Sequence, residues 1–167
     1  MSLQNMLLAL YESDLSLWIR QNPPVFPTIE SFHVIAIALV FGTILIVDLR
    51  LIGFAAHRRS IDKLITELLP VTWGAFALAV VTGLLMFVAN APAYMNNAQF
   101  LWKMVVIAAA GINMMIFHAT IYRRIADWDV MIPPPNAART AGVLSITLWL
   151  TVIYLGRWIG FTLDTFF

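Results

Sequence analysis

The chain has 167 residues, of which 61% are hydrophobic and 11% are charged, and its formal net charge is +1. Soluble domains are about 45–50% apolar and about 25% charged, so this composition excludes a water-soluble fold. The lack of cysteine excludes disulfides, thiolate zinc sites and iron–sulfur clusters, and no basic segment suggests a nucleic-acid partner. We therefore expect a single membrane domain that covers residues 1–167.

The first segment, residues 1–20, is predicted to form an amphipathic helix on the membrane surface. Leu3, Leu7 and Leu10 recur at helical spacing, and Trp18 follows them. Two acidic residues end the apolar run too early for a membrane span. The segment also lacks the basic start and the cleavage site of a signal peptide.

Four apolar segments are then long enough to cross a membrane, which takes about 20 residues. They are predicted to cover residues 28–56, 68–88, 100–122 and 140–160. The proline-rich stretch 22–27 is expected to be a rigid, non-helical connection, and Pro27 and Thr28 are expected to start the first span. Pro70 is expected in the first turn of the second span. The sequence thus predicts an all-α, polytopic membrane protein: a four-helix transmembrane bundle with an N-terminal amphipathic interfacial helix.

The basic residues predict an orientation, because short cytoplasmic loops are enriched in lysine and arginine. The connection 89–99 contains neither residue type, whereas the other two connections contain several. These basic residues are Arg58, Arg59, Lys63, Arg123, Arg124 and Arg139. We therefore expect a bacterial inner-membrane protein with both termini on the outside.

Polar side chains within the spans fall into two layers when the helical rise of about 1.5 Å per residue is converted to depth. The outer layer contains Glu30, His33, Met86, Asn90, Lys103, Met104, Tyr154 and Arg157. The inner layer contains Asp48, Arg50, Asn113 and His118, with His57 at its rim. A charged residue at the centre of a span costs roughly 2.5–3.5 kcal/mol on insertion, so these positions call for an explanation.

Most of these residues have an ordinary structural interpretation. Histidines often form hydrogen bonds between helices, methionines fill cores, and cations near the membrane edge reach the headgroups. Asp48 is harder to explain in this way, because an acid inside the bilayer is paired, protonated or functional. Arg50 lies nearly across the helix from it, while Asn113 lies at the depth where the two can meet.

A cofactor is the sharper interpretation, since membrane b-type cytochromes hold haem between histidines of a helical bundle. His33 and His118 lie roughly 18 Å apart in depth, so they cannot bind the two faces of one haem. An outer haem b would use His33 with Met86 or Met104, and its propionates would meet Lys103 and Arg157. An inner haem would use His118 with His57.

Copper is the second cofactor that the outer layer suits, because Cu(I) prefers thioether and imidazole ligands. Its ligand set would be His33, Glu30 and Met86, with Glu30 also suited to orient the imidazole ring. The absence of any cofactor is the third alternative, since no motif of fixed spacing is present.

Several segments carry a family resemblance. The stretches ESFHVIAIALVFG (30–42), DLRLIG (48–53), TGLLMFVAN (82–90) and FLWKM…NMMIFH (100–118) resemble an uncharacterised family of small four-span bacterial membrane proteins. This resemblance implies the fold and the location only. The first span is also similar, more distantly, to the histidine-bearing helix of copper-resistance membrane proteins, which have more spans.

Two kinds of function are compatible with these sequence features. The first is a haem- or metal-binding redox or electron-transfer subunit. The second is a cofactor-free accessory or structural subunit, or a small component of proton, ion or solute transport. No serine–histidine–aspartate set shares a depth layer, so we do not expect an enzyme by itself. The expected partners are the lipid bilayer and either further copies of the chain or another membrane subunit.

Overall fold

The computed structural model describes residues 2–54, 60–129 and 133–163, and no strand occurs among them. The helices are α1 (Leu3–Tyr11), α2 (Asp14–Gln21), α3 (Val25–Ile52), α4 (Ile61–Ala89), α5 (Ala91–Asn96), α6 (Ala98–Ile116) and α7 (Asn136–Thr162). Beyond Ile116, α6 continues as a π-helical turn, Phe117–Ile121, and then as a 3-10 segment, Tyr122–Asp127.

Four of these helices are long and apolar enough to cross a membrane: Val25–Ile52, Ile61–Ala89, Ala98–Ile125 and Asn136–Thr162. Large apolar side chains cover their outward faces, including Val34, Leu84, Val105 and Leu150. Such a surface is unsuited to water and suited to lipid. The predicted all-α bundle of four spanning helices is therefore confirmed.

The four long helices form an incomplete ring. α3 packs against α4 and α7, and α6 packs against α7, whereas α4 and α6 make no extended contact. The closest approach of α3 and α7 is at Gly142, where an added Cβ would lie 3.1 Å from the backbone oxygen of Asp48 and 3.2 Å from Cβ of Leu51. A glycine at this crossing lets the two backbones come together.

One end of the bundle, which we call the α5 end, is covered by α1, α2 and α5. The predicted helix over residues 1–20 is two helices, because Ser13 ends the first and caps the second by accepting a hydrogen bond from the Ser16 amide. The guanidinium group of Arg20 lies 3.8 Å from the centre of the Tyr11 ring and donates to the Tyr11 carbonyl oxygen at 2.8 Å. These contacts hold α1 against α2.

The opposite end, which we call the Trp128 end, contains the main apolar core. Its buried side chains come from α3, α4, the π-helical turn and α7, and they are Leu51, Ile61, Ile65, Phe117, Trp128 and Ala138. Trp128 belongs to the segment that joins α6 to α7. The core therefore ties that segment to the ends of the other long helices.

The predicted helix bounds need correction where prolines and polar first turns occur. α3 begins at Val25, so Pro27 lies in its first turn, where a missing N–H leaves no hydrogen bond unmade. α4 begins at Ile61 after an N-cap at Ser60, so Pro70 lies inside the helix rather than in its first turn. The connection 89–99 contains the short helix α5. Hydropathy finds only the apolar centre of each helix, which is why the ends were missed.

Candidate functional site

A cavity of about 230 Å³ lies between the four long helices, in the half of the bundle nearer the Trp128 end. α4 and α6 both line it and make no extended contact with each other, so the cavity borders the gap between these two helices. Most of its wall is apolar, with four aromatic side chains: Trp73, Phe76, Phe117 and Trp149. Apolar walls with a few converging polar groups are typical of small-molecule sites.

Asp48 is the acidic side chain on this wall, and it lies about one turn before the end of α3. Its side chain is only 5% exposed. Ser145 of α7 is within hydrogen-bonding reach of its carboxyl group. The second carboxyl oxygen, Oδ2, is buried and makes no hydrogen bond to a described residue. A buried polar atom of this kind usually has a partner, so Oδ2 stands out.

Asn113 supplies a second acceptor to the same cavity. Its Nδ2 atom donates to the carbonyl oxygen of Ala141 on α7 at 3.1 Å, and its Oδ1 atom accepts no hydrogen bond from the described residues. Thr43 and Thr72 are the hydroxyl groups of the wall, and they bond to each other at 2.8 Å. The sequence placed Asp48 and Asn113 at one depth, and the structure places both on one cavity.

Arg50 does not join this polar group, although it is two residues from Asp48. It is 2% exposed, and its Nη2 atom donates to the carbonyl oxygen of Asp129 at 2.8 Å. The Asp129 carboxylate in turn accepts from the Ser60 hydroxyl and from the Ile61 and Asp62 amides. Arg50 therefore ties the segment after α6 to α3, and Asp129 ties the same segment to the start of α4.

In the outer layer, His33 makes a contact between helices. Its Nδ1 atom lies 2.9 Å from the Thr82 hydroxyl oxygen on α4. A Cβ added at Gly83 would lie 3.2 Å from the His33 ring, so this glycine makes room for the imidazole. Lys103 of α6 is near enough for its charge to act on His33, and its Nζ atom would lie 3.3 Å from a Cβ at Gly156. The structure thus brings His33 and Lys103 together.

The remaining outer residues are more dispersed. Glu30 is exposed, Met86 is half-buried, and Met104 is 41% exposed. The Arg157 guanidinium group lies 4.8 Å from the centre of the Phe161 ring on its own helix. Burial raises the pKa of Tyr94, in α5, to about 12, and the negative charge of Glu30 acts in the same direction.

His118 lies in the π-helical turn and lines the cavity. Its Nδ1 atom is 2.9 Å from the Met114 carbonyl oxygen, and its ring centre is 5.3 Å from that of Tyr122. His57, its suggested partner in an inner haem site, lies outside the described residues. Within the described part of the chain, no three histidine, cysteine, aspartate or glutamate side chains are grouped closely enough to hold a metal ion.

Sequence reasoning missed three residues that position these groups: Thr82, Asp129 and Ser145. Hydroxyl residues are frequent in membrane helices, so neither Thr82 nor Ser145 differs in type or spacing from its neighbours. Asp129 contacts a residue 79 positions earlier, and no local pattern encodes that contact. For Ser145 the one available signal was its depth in the membrane, because it lies about 14 Å along α7 from the start of that helix.

Comparison with known proteins gives a family. The family described as "Family of unknown function (DUF6644)" matches residues 21–162. The chain belongs to this family. The DUF6644 match extends from the end of α2 to the end of α7, so it includes the cavity and the outer layer. It agrees with the uncharacterised family expected from the sequence, whereas the likeness to copper-resistance proteins stays a prediction. No curated protein and no solved structure matches the chain.

Proposed function

We propose that this DUF6644 protein binds a small, lipid-soluble molecule in the cavity between α3, α4, α6 and α7, as a membrane component of solute binding or transport. The observation that carries the proposal is the buried Oδ2 atom of Asp48, which makes no hydrogen bond to a described residue and belongs to the wall of that cavity. An intramembrane acid is a functional group by default unless a partner explains it. The free acceptor of Asn113 beside it strengthens the argument.

The size of the cavity limits the part of the ligand that it encloses. An engineered apolar cavity of about 150 Å³ binds benzene, so by proportion the present cavity encloses about nine non-hydrogen atoms. This is the size of a substituted six-membered ring. A longer apolar tail would pass between α4 and α6, where the ring of helices is open to lipid.

Energetics favour a bound partner for the polar wall. A buried acceptor without a hydrogen bond costs about 1–3 kcal/mol, and a ligand that donates to Oδ2 of Asp48 removes this cost. The π-helical turn of α6 adds a structural argument, because such turns are frequent at functional sites. Here the turn carries Phe117 and His118, which both line the cavity.

A substitution at Gly111 tests the proposal. Gly111 lines the cavity, and an added Cβ would meet nothing within 4 Å, so leucine fills the cavity without a clash at Cβ. Gly74 on α4 is the matched control, because its Cβ also meets nothing within 4 Å and it does not line the cavity. We would titrate each purified protein with 2-phenylethanol and follow tryptophan fluorescence, to which Trp73 and Trp149 of the wall contribute.

Saturable quenching is expected in the wild-type protein and in Gly74→Leu, with loss of at least about tenfold in affinity in Gly111→Leu. Such a loss corresponds to about 1.4 kcal/mol of binding free energy. Equal quenching in the two variants, or no saturation in the wild-type protein, would overturn the proposal.

A second candidate function is the binding of haem b or copper in the outer layer, as a redox subunit. It is favoured by the fixed orientation of His33, whose Nδ1 atom is held by the Thr82 hydroxyl group. Ligating histidines are commonly oriented through their other ring nitrogen in this way. Met86 lies one turn along α4 from Thr82, where its thioether is the nearest soft ligand in sequence.

The test of this second candidate is a reduced-minus-oxidised spectrum with metal analysis of protein purified from its native membrane. Bands of b type, or bound copper, that disappear in His33→Ala would support the outer site. The same loss in His118→Ala would support an inner one. A colourless, metal-free protein with both variants correctly folded would leave the ligand-binding proposal, or a cofactor-free accessory subunit.

A further inference from the structure

We infer that the molecule bound in this cavity is a lipid-soluble organic cation, namely a ring-headed amine whose ammonium group pairs with Asp48. This inference rests on the proposed function and names the class of ligand. It starts from the charge on the wall of the cavity. Asp48 is an acid on that wall, and the described wall contains neither lysine nor arginine.

The basic side chains nearest in sequence to Asp48 and Asn113 are engaged elsewhere or lie far along the helix. Arg50 donates to the Asp129 carbonyl oxygen at the Trp128 end. Lys103 lies ten residues before Asn113 on α6, which places it about 15 Å along the helix, against Gly156. His118 directs its Nδ1 atom at the Met114 carbonyl oxygen of its own helix. A cationic ligand would supply the counter-charge that the described side chains leave missing.

The hydrogen-bonding pattern also suits an ammonium group. The unsatisfied buried atom, Oδ2 of Asp48, is an acceptor, as is Oδ1 of Asn113 on the same wall, and an ammonium group is a donor only. The Thr72 hydroxyl is used within the wall, because it donates to Thr43. The wall therefore offers few hydrogen-bond donors to a polar ligand group that is itself only an acceptor.

The aromatic wall is compatible with the same chemistry. Trp73, Phe76, Phe117 and Trp149 surround the polar group on the α4, α6 and α7 sides. The faces of such rings attract cations, and aromatic side chains are the usual lining of sites for organic ammonium ligands. They also stack on the ring that the volume of the cavity accommodates.

The experiment compares 2-phenylethylamine with 2-phenylethanol, which have the same number of non-hydrogen atoms and differ in charge at neutral pH. Binding is measured by tryptophan fluorescence with the full-length protein in lipid nanodiscs. We expect the amine to bind the wild-type protein about tenfold more tightly than the alcohol, as a charge-assisted hydrogen bond predicts. In Asp48→Asn this advantage should fall to within about twofold, because the ammonium group loses its charged acceptor.

Thr147→Val is the matched control, because the Thr147 hydroxyl is exposed and bonds only to the Val143 carbonyl oxygen of its own helix. This variant should keep the full preference for the amine. Should Asp48→Asn fail to fold, the comparison of the two probes in the wild-type protein still decides the question of charge.

The outcomes separate this inference from the proposed function. If amine and alcohol bind with equal affinity and Gly111→Leu abolishes the binding of both, the inference that the ligand is a cation is overturned, and the proposed binding site is retained. A preference for the amine that survives in Asp48→Asn would overturn the role of Asp48. Absence of saturable binding by either probe would overturn both the inference and the function on which it rests.

Discussion

Asp48 and Arg50 illustrate how two charges in one membrane helix acquire different roles. Both are buried, yet Arg50 donates to a backbone carbonyl of the segment after α6, whereas one oxygen of Asp48 has no described donor. Residues two apart on a helix point to nearly opposite sides, so the helix separates these charges. The arginine is thereby structural, and the aspartate is available to a ligand.

At the same scale, the hydrogen bond between His33 and Thr82 predicts a measurable contribution to stability. Thr82→Val keeps the shape of the side chain and removes the hydroxyl group that joins α4 to α3. We expect a loss of about 0.6 kcal/mol in the free energy of unfolding, the mean for hydrogen bonds between membrane helices. Unfolding by SDS in mixed micelles measures it.

Thr147→Val serves as the control for that measurement, since it removes a hydroxyl group with no partner on another described helix. Its free energy of unfolding should match that of the wild-type protein. An equal loss in both variants would mean that the hydroxyl of Thr82 acts within its own helix alone, where it also contacts the Leu78 carbonyl oxygen.

Among the helices, the start of α4 depends on a residue from a distant segment. The Asp129 carboxylate accepts from the Ile61 and Asp62 amides and from the Ser60 hydroxyl, so it caps the helix together with Ser60. Asp129→Ala should lower the free energy of unfolding by about 1–2 kcal/mol, the usual cost of losing an N-cap. Glu67→Ala, an exposed acid later in α4, should change it by less than about 0.5 kcal/mol.

The crossing of α3 and α7 gives a second prediction about helices. Gly142→Leu places a Cβ 3.1 Å from the Asp48 backbone oxygen and 3.3 Å from Cγ1 of Ile52, so the helices must separate. We expect a loss of about 1–3 kcal/mol, which is typical of overpacking, and weaker binding in the adjacent cavity. Gly74→Leu, which adds the same side chain on an open face, should be nearly neutral; equal stability of the two variants would contradict this account.

For the whole molecule, the distribution of basic residues predicts both termini outside. A periplasmic reporter fused at Asn97, between α5 and α6, should be active, and one fused at Lys63 should be inactive. A cytoplasmic reporter should give the opposite result at each position. Cytoplasmic activity at Asn97 would reverse the orientation and leave the bundle itself unchanged.

The open edge between α4 and α6 predicts association with another helix. A bundle with apolar side chains exposed on every long helix is expected to pack against a second copy or another membrane subunit. In a mild detergent, light scattering should give a mass above that of one chain. A strictly monomeric protein without a co-purifying subunit would contradict this prediction.

The sequence predicted the bundle because four apolar segments leave few alternatives in a membrane. It also predicted the shared depth of Asp48 and Asn113, and of His33 and Lys103, because a helix converts position into depth at a fixed rise. Depth does not give rotation about the helix axis. For that reason the partners of His33 and Arg50, and the cavity itself, appear only when the helices are packed against one another.

The contact between Arg50 and Asp129 also imposes an order on biosynthesis. The hairpin of α3 and α4 leaves the ribosome before its last binding partner exists, since Asp129 follows Arg50 by 79 residues. At about 5–20 residues per second, the synthesis of that interval takes roughly 4–16 s. During this time neither the arginine nor the first amides of α4 can form their contacts with Asp129. The first half of the protein therefore reaches its final structure only after the third span has been made.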